Sequence, residues 1–158
     1  MKKLICICMI IGSFSACQNT EEKNGENKTV QQADAQTEKI LEIPYSAVYN
    51  EQTQKLEMKP AGQSKLNMAE MIGALNNKYP EIKLEFVSIK MDTAYVRIND
   101  AKYLTQTIGS SGAQVYFAEA TFALTDIKGV KAVNFAFPEG DHAAPGTYTR
   151  ENFNKLNL

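Results

Sequence analysis

The sequence has no tryptophan, one histidine and three cysteines among 158 residues. Because His142 is the only imidazole, the chain cannot form a metal site from several histidines, and any Ser-His-Asp chemistry would depend on this one residue. The 17 basic residues do not exceed the 18 acidic ones, whereas nucleic-acid-binding proteins usually carry a basic excess. We therefore expect no metal site, no cofactor and no nucleic-acid partner.

The sequence also lacks an apolar run of the roughly 20 residues that a membrane-spanning helix needs. Its longest apolar run, Leu4–Phe14, has 11 residues. Two lysines precede this run, and Ser15, Ala16 and Cys17 follow it, which together are typical of a secretory signal peptide. The cysteine after two small residues resembles the lipobox of bacterial lipoproteins. The resemblance implies that residues 1–16 are a signal peptide and that Cys17 is lipidated at the start of the mature chain.

Residues 17–38 contain only one large apolar residue, Val30. A segment of this composition cannot bury enough surface to offset its ordering entropy, so we interpret it as a flexible tether. Cys6 and Cys8 lie in the segment to be removed, so the mature chain would contain no disulfide. We expect a protein anchored by lipid in the cell envelope, in the outer membrane, facing the periplasm or the cell surface.

The folded region is predicted to begin with two strands and a helix. Alternating apolar residues and a bounding turn predict strands over residues 40–49 and 55–59. Asn67 and Glu70 have the spacing of a capping box at the start of a helix, and Pro80 is expected to end that helix.

The next segment, residues 82–99, predicts a β-hairpin. Its alternation slips by one residue at Val87, which indicates a β-bulge. Beyond the slip, Val87, Ile89 and Met91 are expected to continue the buried face. Residues 100–108 are expected to form a loop.

A second helix and a last strand complete the predicted fold. Ser111 and Gln114 have capping-box spacing, and Gly129 is expected to adopt a left-handed conformation after the helix. The buried stripe of this helix recurs every three or four residues: Ala113, Tyr116, Phe117, Ala120, Leu124 and Ile127. Val133 and Phe137 bound the last predicted strand. The order β-β-α-β-β-α-β predicts an α+β fold, a small antiparallel or mixed sheet with two helices packed on one face.

Residues 65–140, and most clearly 104–140, resemble the GerMN domain, a module of bacterial envelope lipoproteins. The family pattern has a Gly/Ser turn before a helix, which corresponds to residues 109–112. The helix then ends in a Thr-Leu-Thr-like motif, here residues 123–125, followed by a glycine turn at 128–130 and an apolar strand. A final glycine turn corresponds to Glu139-Gly140.

This resemblance implies a GerMN-like domain over residues 39–158, in a lipoprotein that contacts peptidoglycan or another envelope protein. The family has a fold similar to that of small ring-building modules. It has no catalytic residues that can be transferred to this chain, so we expect a non-catalytic protein. Residues 137–150 are longer than the short ending of the family pattern, and therefore a role specific to sporulation does not follow.

Three groups of residues are candidates for a binding site. First, the turn of Gly109, Ser110, Ser111 and Gly112 can direct free N–H groups at an anion such as a muramyl-peptide carboxylate, or it can simply start a helix.

The second group, Glu139, Asp141 and His142, can bind a divalent ion or act as acid and base, or it can be an ordinary polar loop.

The third group is formed by tyrosines 95, 103, 116 and 148, whose rings can stack on sugars. Tyr116 is expected in the core, and Tyr95 is the best exposed candidate.

The function predicted from the sequence is binding of peptidoglycan or another envelope protein by a lipid-anchored, non-catalytic domain. Two alternatives remain open. The first is a small envelope hydrolase that uses His142 with Asp141 or Glu139. The second is a module that assembles with itself through an exposed sheet edge.

Overall fold

The structure, a computed structural model, describes residues 41–62 and 65–154. These residues belong to one compact unit, Thr37–Leu158. The predicted signal peptide, Cys17 and the predicted tether lie outside the described residues. Within the described part of the chain, no helix is long and apolar enough to cross a membrane.

The described residues form an α+β fold, which confirms the predicted fold class. The predicted order β-β-α-β-β-α-β is present and is followed by a short strand and a short helix. In chain order the elements are β1 (Tyr45–Asn50), β2 (Lys55–Pro60), α1 (Met68–Lys78), β3 (Leu84–Lys90), β4 (Thr93–Ile98), a π-helical turn (Tyr103–Thr107), α2 (Gly109–Leu124), β5 (Ala132–Ala136), β6 (Gly146–Thr149) and α3 (Arg150–Asn154).

The strands form two sheets, a division that the sequence pattern did not predict. Strands β1 and β2 form an antiparallel hairpin, and the other four form a sheet in the order β3-β4-β5-β6. The pairing of β4 with β5 is parallel, while the two outer pairings are antiparallel. The parallel pairing is possible because the π-helical turn and α2 connect β4 to β5, and parallel neighbours need a long crossover.

Helix α2 contacts both sheets, which explains why its burial extends beyond the predicted stripe. Phe122 packs edge-on against Tyr45 of β1, with ring centroids 5.4 Å apart, and Phe117 packs against Phe135 of β5 at 5.2 Å. Positions 117 and 122 are about 140° apart around a helix. Two faces of α2 are therefore covered, and Ala118, which lies outside the predicted stripe, is also buried.

The two predicted capping boxes have different outcomes. Asn67 caps α1: its side chain accepts a hydrogen bond from the Glu70 N–H, and the Glu70 carboxylate accepts one from the Asn67 N–H. The box predicted at Ser111 is wrong because α2 begins two residues earlier, at Gly109, with no side-chain cap. The π-helical turn Tyr103–Thr107 comes directly before Ile108, which holds the N-cap position of α2.

The predicted bulge is confirmed, but the predicted burial beyond it is wrong. The register of β3 against β4 shifts between Phe86 and Ser88, which leaves Val87 as the extra residue. Val87, Ile89 and Met91 are exposed nevertheless. Strand β3 lies at an edge of the sheet, so its apolar residues are not covered as those of β4 are.

Two predictions for the second half are also corrected. The expected loop 100–108 contains the π-helical turn, whose Leu104 is fully buried. Gly129 has the expected left-handed backbone, with φ of +90°. It follows the end of α2 by several residues, however, so it belongs to the turn before β5 and does not cap the helix.

Arg150, the first residue of α3, forms hydrogen bonds at the C-terminal end of α2. Its guanidinium donates hydrogen bonds to the Phe122 carbonyl at 2.9 Å and to the Thr125 hydroxyl at 2.7 Å, and it lies 3.4 Å from the Asp126 carboxylate. The same carboxylate accepts a hydrogen bond from the Tyr45 hydroxyl. A cation at this position is favourable because the last carbonyls of a helix lack intrahelical donors.

Candidate functional site

The N-terminal end of α2 is tightly packed around Ile108. The Ile108 N–H donates to the Tyr103 carbonyl across the π-helical turn. Gly109 then has a φ of +76°, which favours glycine. A Cβ at Gly112 would lie 2.6 Å from Cγ1 of Ile108. These two glycines of the predicted anion-binding turn therefore have structural reasons to be there.

The loop that carries His142 is hydrogen-bonded to the same π-helical turn. The His142 N–H donates to the Thr105 carbonyl at 3.0 Å, and Gly140 and Ala143 form an isolated β-bridge. A Cβ at Gly140 would lie only 2.6 Å from Cβ of Thr105, so the loop approaches Thr105 closely. These contacts place His142 beside the start of α2.

The structure thus brings two of the predicted site groups together. The hydroxyl oxygen of Ser110 and Nδ1 of His142 are 3.2 Å apart, within hydrogen-bonding distance. Ser110 is exposed and His142 is half-buried, so both can be reached from solvent. The tautomer of the imidazole decides which of the two groups donates. We call this pair, with the first turn of α2, the Ser110–His142 site.

The acidic residues predicted to act with His142 do not join this pair. Glu139 and Asp141 are exposed, and no hydrogen bond within the described segments links either carboxylate to the imidazole. No three His, Cys, Asp or Glu side chains in these segments form a group that can hold a metal ion. Among the residues that the structure describes, the pair therefore has no third group that orients the imidazole, as a catalytic triad requires.

The four candidate tyrosines do not form one platform. Tyr116 is buried, and Tyr148 stacks on Phe117 with ring centroids 4.7 Å apart, while Tyr103 packs against the core. Tyr95 lies on the outer face of the four-stranded sheet, where the Lys90 ammonium is 5.4 Å from its ring centre. Tyr95 is therefore the one member of this group on the solvent face.

A buried carboxylate, which sequence analysis missed, connects three elements of the core. Glu119 of α2 is only 1% exposed. Its carboxylate accepts hydrogen bonds from the Ala47 N–H at 2.7 Å and the Tyr79 hydroxyl at 2.6 Å, and it forms an ion pair with Lys78 at 2.7 Å. A buried charge needs such partners. The only signal in the sequence was a glutamate among the alanines and aromatics of an otherwise apolar helix.

This buried network changes the acidity of the tyrosine that takes part in it. Burial, and then the hydrogen bond to Glu119, raise the pKa of Tyr79 far above its usual range. Burial alone raises the pKa of Tyr116, whose ring packs edge-on against Tyr79 at 5.0 Å. Both phenols therefore remain protonated in the folded protein at neutral pH.

A cavity of about 370 Å³ lies beside this network, between α1 and the segment that leads into β1. Its wall is mainly apolar, with Lys78 as its cation. Residues that contribute to the wall include Leu41, Ile43, Tyr45, Ala74 and Lys78. Because Lys78 is already paired with Glu119 and Glu42 also lines the cavity, the charges there do not select one class of ligand.

These observations define a small α+β protein with a polar site at the start of its central helix. Comparison of the chain with protein-family models, curated proteins and solved structures finds no match. The resemblance to the GerMN domain therefore stays a prediction.

Proposed function

We propose that this chain is a lipid-anchored bacterial envelope protein whose folded domain binds peptidoglycan, or another envelope protein, without catalysing a reaction. In this proposal Cys17 carries the lipid, residues 17–38 set the reach, and the folded domain supplies the contact. The GerMN-like motifs between residues 104 and 140 support the assignment to the envelope.

The observation that carries the binding proposal is the Ser110–His142 contact at the start of α2. A hydroxyl, an imidazole and the first N–H groups of a 16-residue helix lie together there. The positive end of the helix dipole favours anions at this position. The stem peptides of peptidoglycan carry carboxylates, so they have the chemistry that such a site recognises.

Binding can be tested with purified peptidoglycan sacculi and the Cys17→Ala chain, which removes the lipid. We expect His142→Ala to reduce the bound fraction because it removes a donor to the carboxylate. Asp141→Asn is the matched control on the same loop and should increase binding, since it removes a negative charge near the site. Equal binding by both variants and the parent chain would exclude this site.

The lipid anchor is tested separately by metabolic labelling with a fatty-acid analogue. The wild-type chain should incorporate the label, and Cys17→Ala should not, because its side chain has no thiol to join to a diacylglycerol. Equal labelling of the two chains would refute lipidation without affecting the sacculus experiment.

The hydrolase alternative is retained because the hydroxyl of Ser110 lies within hydrogen-bonding distance of an imidazole. If it is correct, Ser110→Ala and His142→Ala should each abolish turnover of a peptidoglycan fragment. A binding module should show no turnover in any variant. No group among the described residues orients His142, and this favours binding over hydrolysis.

A further inference from the structure

Strand β3 forms an apolar edge of the four-stranded sheet. Phe86, Val87 and Ile89 are 43%, 55% and 45% exposed, and Met91 at the hairpin tip is 97% exposed. Among the described residues, β3 pairs only with β4, so its other edge has no strand beside it. Exposed apolar edges of this kind mark surfaces for interaction with another chain. We call residues 85–90 the β3 edge.

The register against β4 assigns two apolar residues of the β3 edge, Phe86 and Ile89, to one face. Phe86 lies opposite Val96, and Ile89 lies opposite Ala94. Directly opposed residues share a face of the sheet. Because Val96 and Ala94 are buried in the core, Phe86 and Ile89 lie on the core side of the sheet, at its uncovered border.

The polar residues of the β3 edge lie on the other face. Glu85, Ser88 and Lys90 are opposite, respectively, Arg97, Tyr95 and Thr93. Glu85 is at one end of the edge and Lys90 at the other, with Ser88 between them. The edge therefore has opposite charges at its two ends.

The bulge makes this arrangement symmetric. With Val87 as the extra residue, the paired positions are Glu85, Phe86, Ser88, Ile89 and Lys90. The paired positions next to Ser88 are apolar, Phe86 on one side and Ile89 on the other. The paired positions beyond these two are charged, the acid Glu85 on one side and the base Lys90 on the other. Rotation about an axis through Ser88 therefore places an apolar residue opposite an apolar one and an acid opposite a base.

We infer that the β3 edge binds a second copy of this chain in an antiparallel, two-fold arrangement. Phe86 of one copy faces Ile89 of the other, and Glu85 faces Lys90, each contact occurring twice. A two-fold contact requires a surface that is complementary to itself, and the β3 edge has this property. An anionic membrane is a poorer occupant, because the β3 edge carries the acid Glu85 as well as the base Lys90 and has no excess of positive charge.

Cross-linking tests this geometry in the full chain. The axis brings the two Ser88 side chains together, so Ser88→Cys should form a cross-linked dimer under mild oxidation in detergent. Thr147→Cys is the matched control, since Thr147 is exposed on the opposite edge strand, β6. The native cysteines give the background in the wild-type chain. A yield from Ser88→Cys no higher than that from Thr147→Cys would overturn the proposal.

A charge exchange tests the facing residues. Lys90→Glu should weaken dimerisation by about tenfold or more, because it places two acids together. Adding Glu85→Lys to Lys90→Glu should restore part of it, because opposite charges face each other across the axis again, although the added lysine also lies opposite Arg97 of its own chain. Light scattering of the full chain in detergent measures the mass, and circular dichroism verifies that each variant is folded. A monomeric wild-type chain would overturn the proposal, as would the absence of rescue.

Flotation with lipid vesicles tests the membrane as the other possible occupant. If the Cys17→Ala chain floats with vesicles of phosphatidylglycerol, stays monomeric and loses flotation on Ile89→Lys, the β3 edge is a membrane contact and the proposal is wrong. The sacculus assay does not involve the β3 edge, so either proposal can fail alone.

Discussion

The hydroxyl of Tyr79 donates a hydrogen bond of 2.6 Å to the carboxylate of Glu119, across the interface between α1 and α2. The same carboxylate accepts from the backbone of β1 through Ala47. One buried side chain therefore links the first helix, the central helix and the hairpin. This network stabilises the arrangement of the layers, because the buried Ala47 N–H and the part-buried Tyr79 hydroxyl would otherwise lack an acceptor.

We expect Glu119→Ala to lower the free energy of unfolding by about 3 kcal/mol, since it leaves a buried N–H and a hydroxyl without an acceptor. Glu119→Gln keeps the shape and should cost less. Urea denaturation monitored by circular dichroism measures both. Glu85→Ala is the control: its ion pair with Arg97 is exposed and should contribute less than about 1 kcal/mol. Equal losses from Glu119→Ala and Glu85→Ala would contradict the central role of the network.

Stability is expected to fall in alkaline solution. The pKa of Tyr79 is raised from 10.0 in the folded state, so above about pH 10 the unfolded chain loses a proton that the folded chain retains. Each such phenol then lowers the free energy of unfolding by up to about 1.4 kcal/mol per pH unit.

Thermal unfolding between pH 8 and 11 measures this slope. The stability should be constant below about pH 9 and decline above it. Tyr79→Phe should make the decline shallower because it removes one of the two strongly shifted phenols. Tyr49→Phe is the control variant, since its hydroxyl forms only an exposed hydrogen bond. The same slope in wild type and Tyr79→Phe would argue against a shifted pKa.

The two capping-box sequences should respond differently to mutation. Asn67→Ala is expected to destabilise the protein by about 1 kcal/mol, because Asn67 caps α1. Ser111→Ala should change stability by less than about 0.5 kcal/mol, because α2 begins before Ser111 and this residue caps nothing. Chemical denaturation of the two variants under the same conditions provides the comparison. A larger loss at Ser111 would place the start of α2 where the sequence pattern predicted it.

Two glycines within helices, Gly73 and Gly112, allow the same substitution to be compared at an open and at a crowded position. A Cβ at Gly73 in α1 would meet no atom within 4 Å, so Gly73→Ala should stabilise the protein by about 0.5–1 kcal/mol. At Gly112 a Cβ would lie 2.6 Å from the Ile108 side chain, and Gly112→Ala should give no gain or a loss. The difference between their melting temperatures is the test. Stabilisation of both variants would mean that Ile108 moves aside without cost.

Local sequence patterns predicted much of the fold. The capping box at Asn67 and the phase slip at Val87 are confirmed, because both depend on neighbours within a few residues. Five of the six predicted stripe positions are buried in α2, whereas the sixth, Ile127, lies beyond the end of the helix at Leu124 and is only partly buried. These signals act over one turn or one strand.

Contacts between distant segments were not predictable in this way. Val87, Ile89 and Met91 follow a core-like alternation but are exposed, since the order of strands places β3 at an edge. No local pattern marks Glu119 as a buried residue, yet the hairpin covers it. No sequence pattern predicted the contact between Ser110 and His142 either, because they are 32 positions apart and meet only through the π-helical turn.

By itself, the sequence determined the type of most helices and strands, the α+β class and the position of the bulge, because hydrophobic periodicity and capping are local properties of the chain. The tertiary structure alone decided that the strands form two sheets, that α2 is buried between them, and that Ser110 and His142 form a pair. These features depend on which distant surfaces meet. Local periodicity indicates that a surface is apolar, but it does not indicate which other surface covers it.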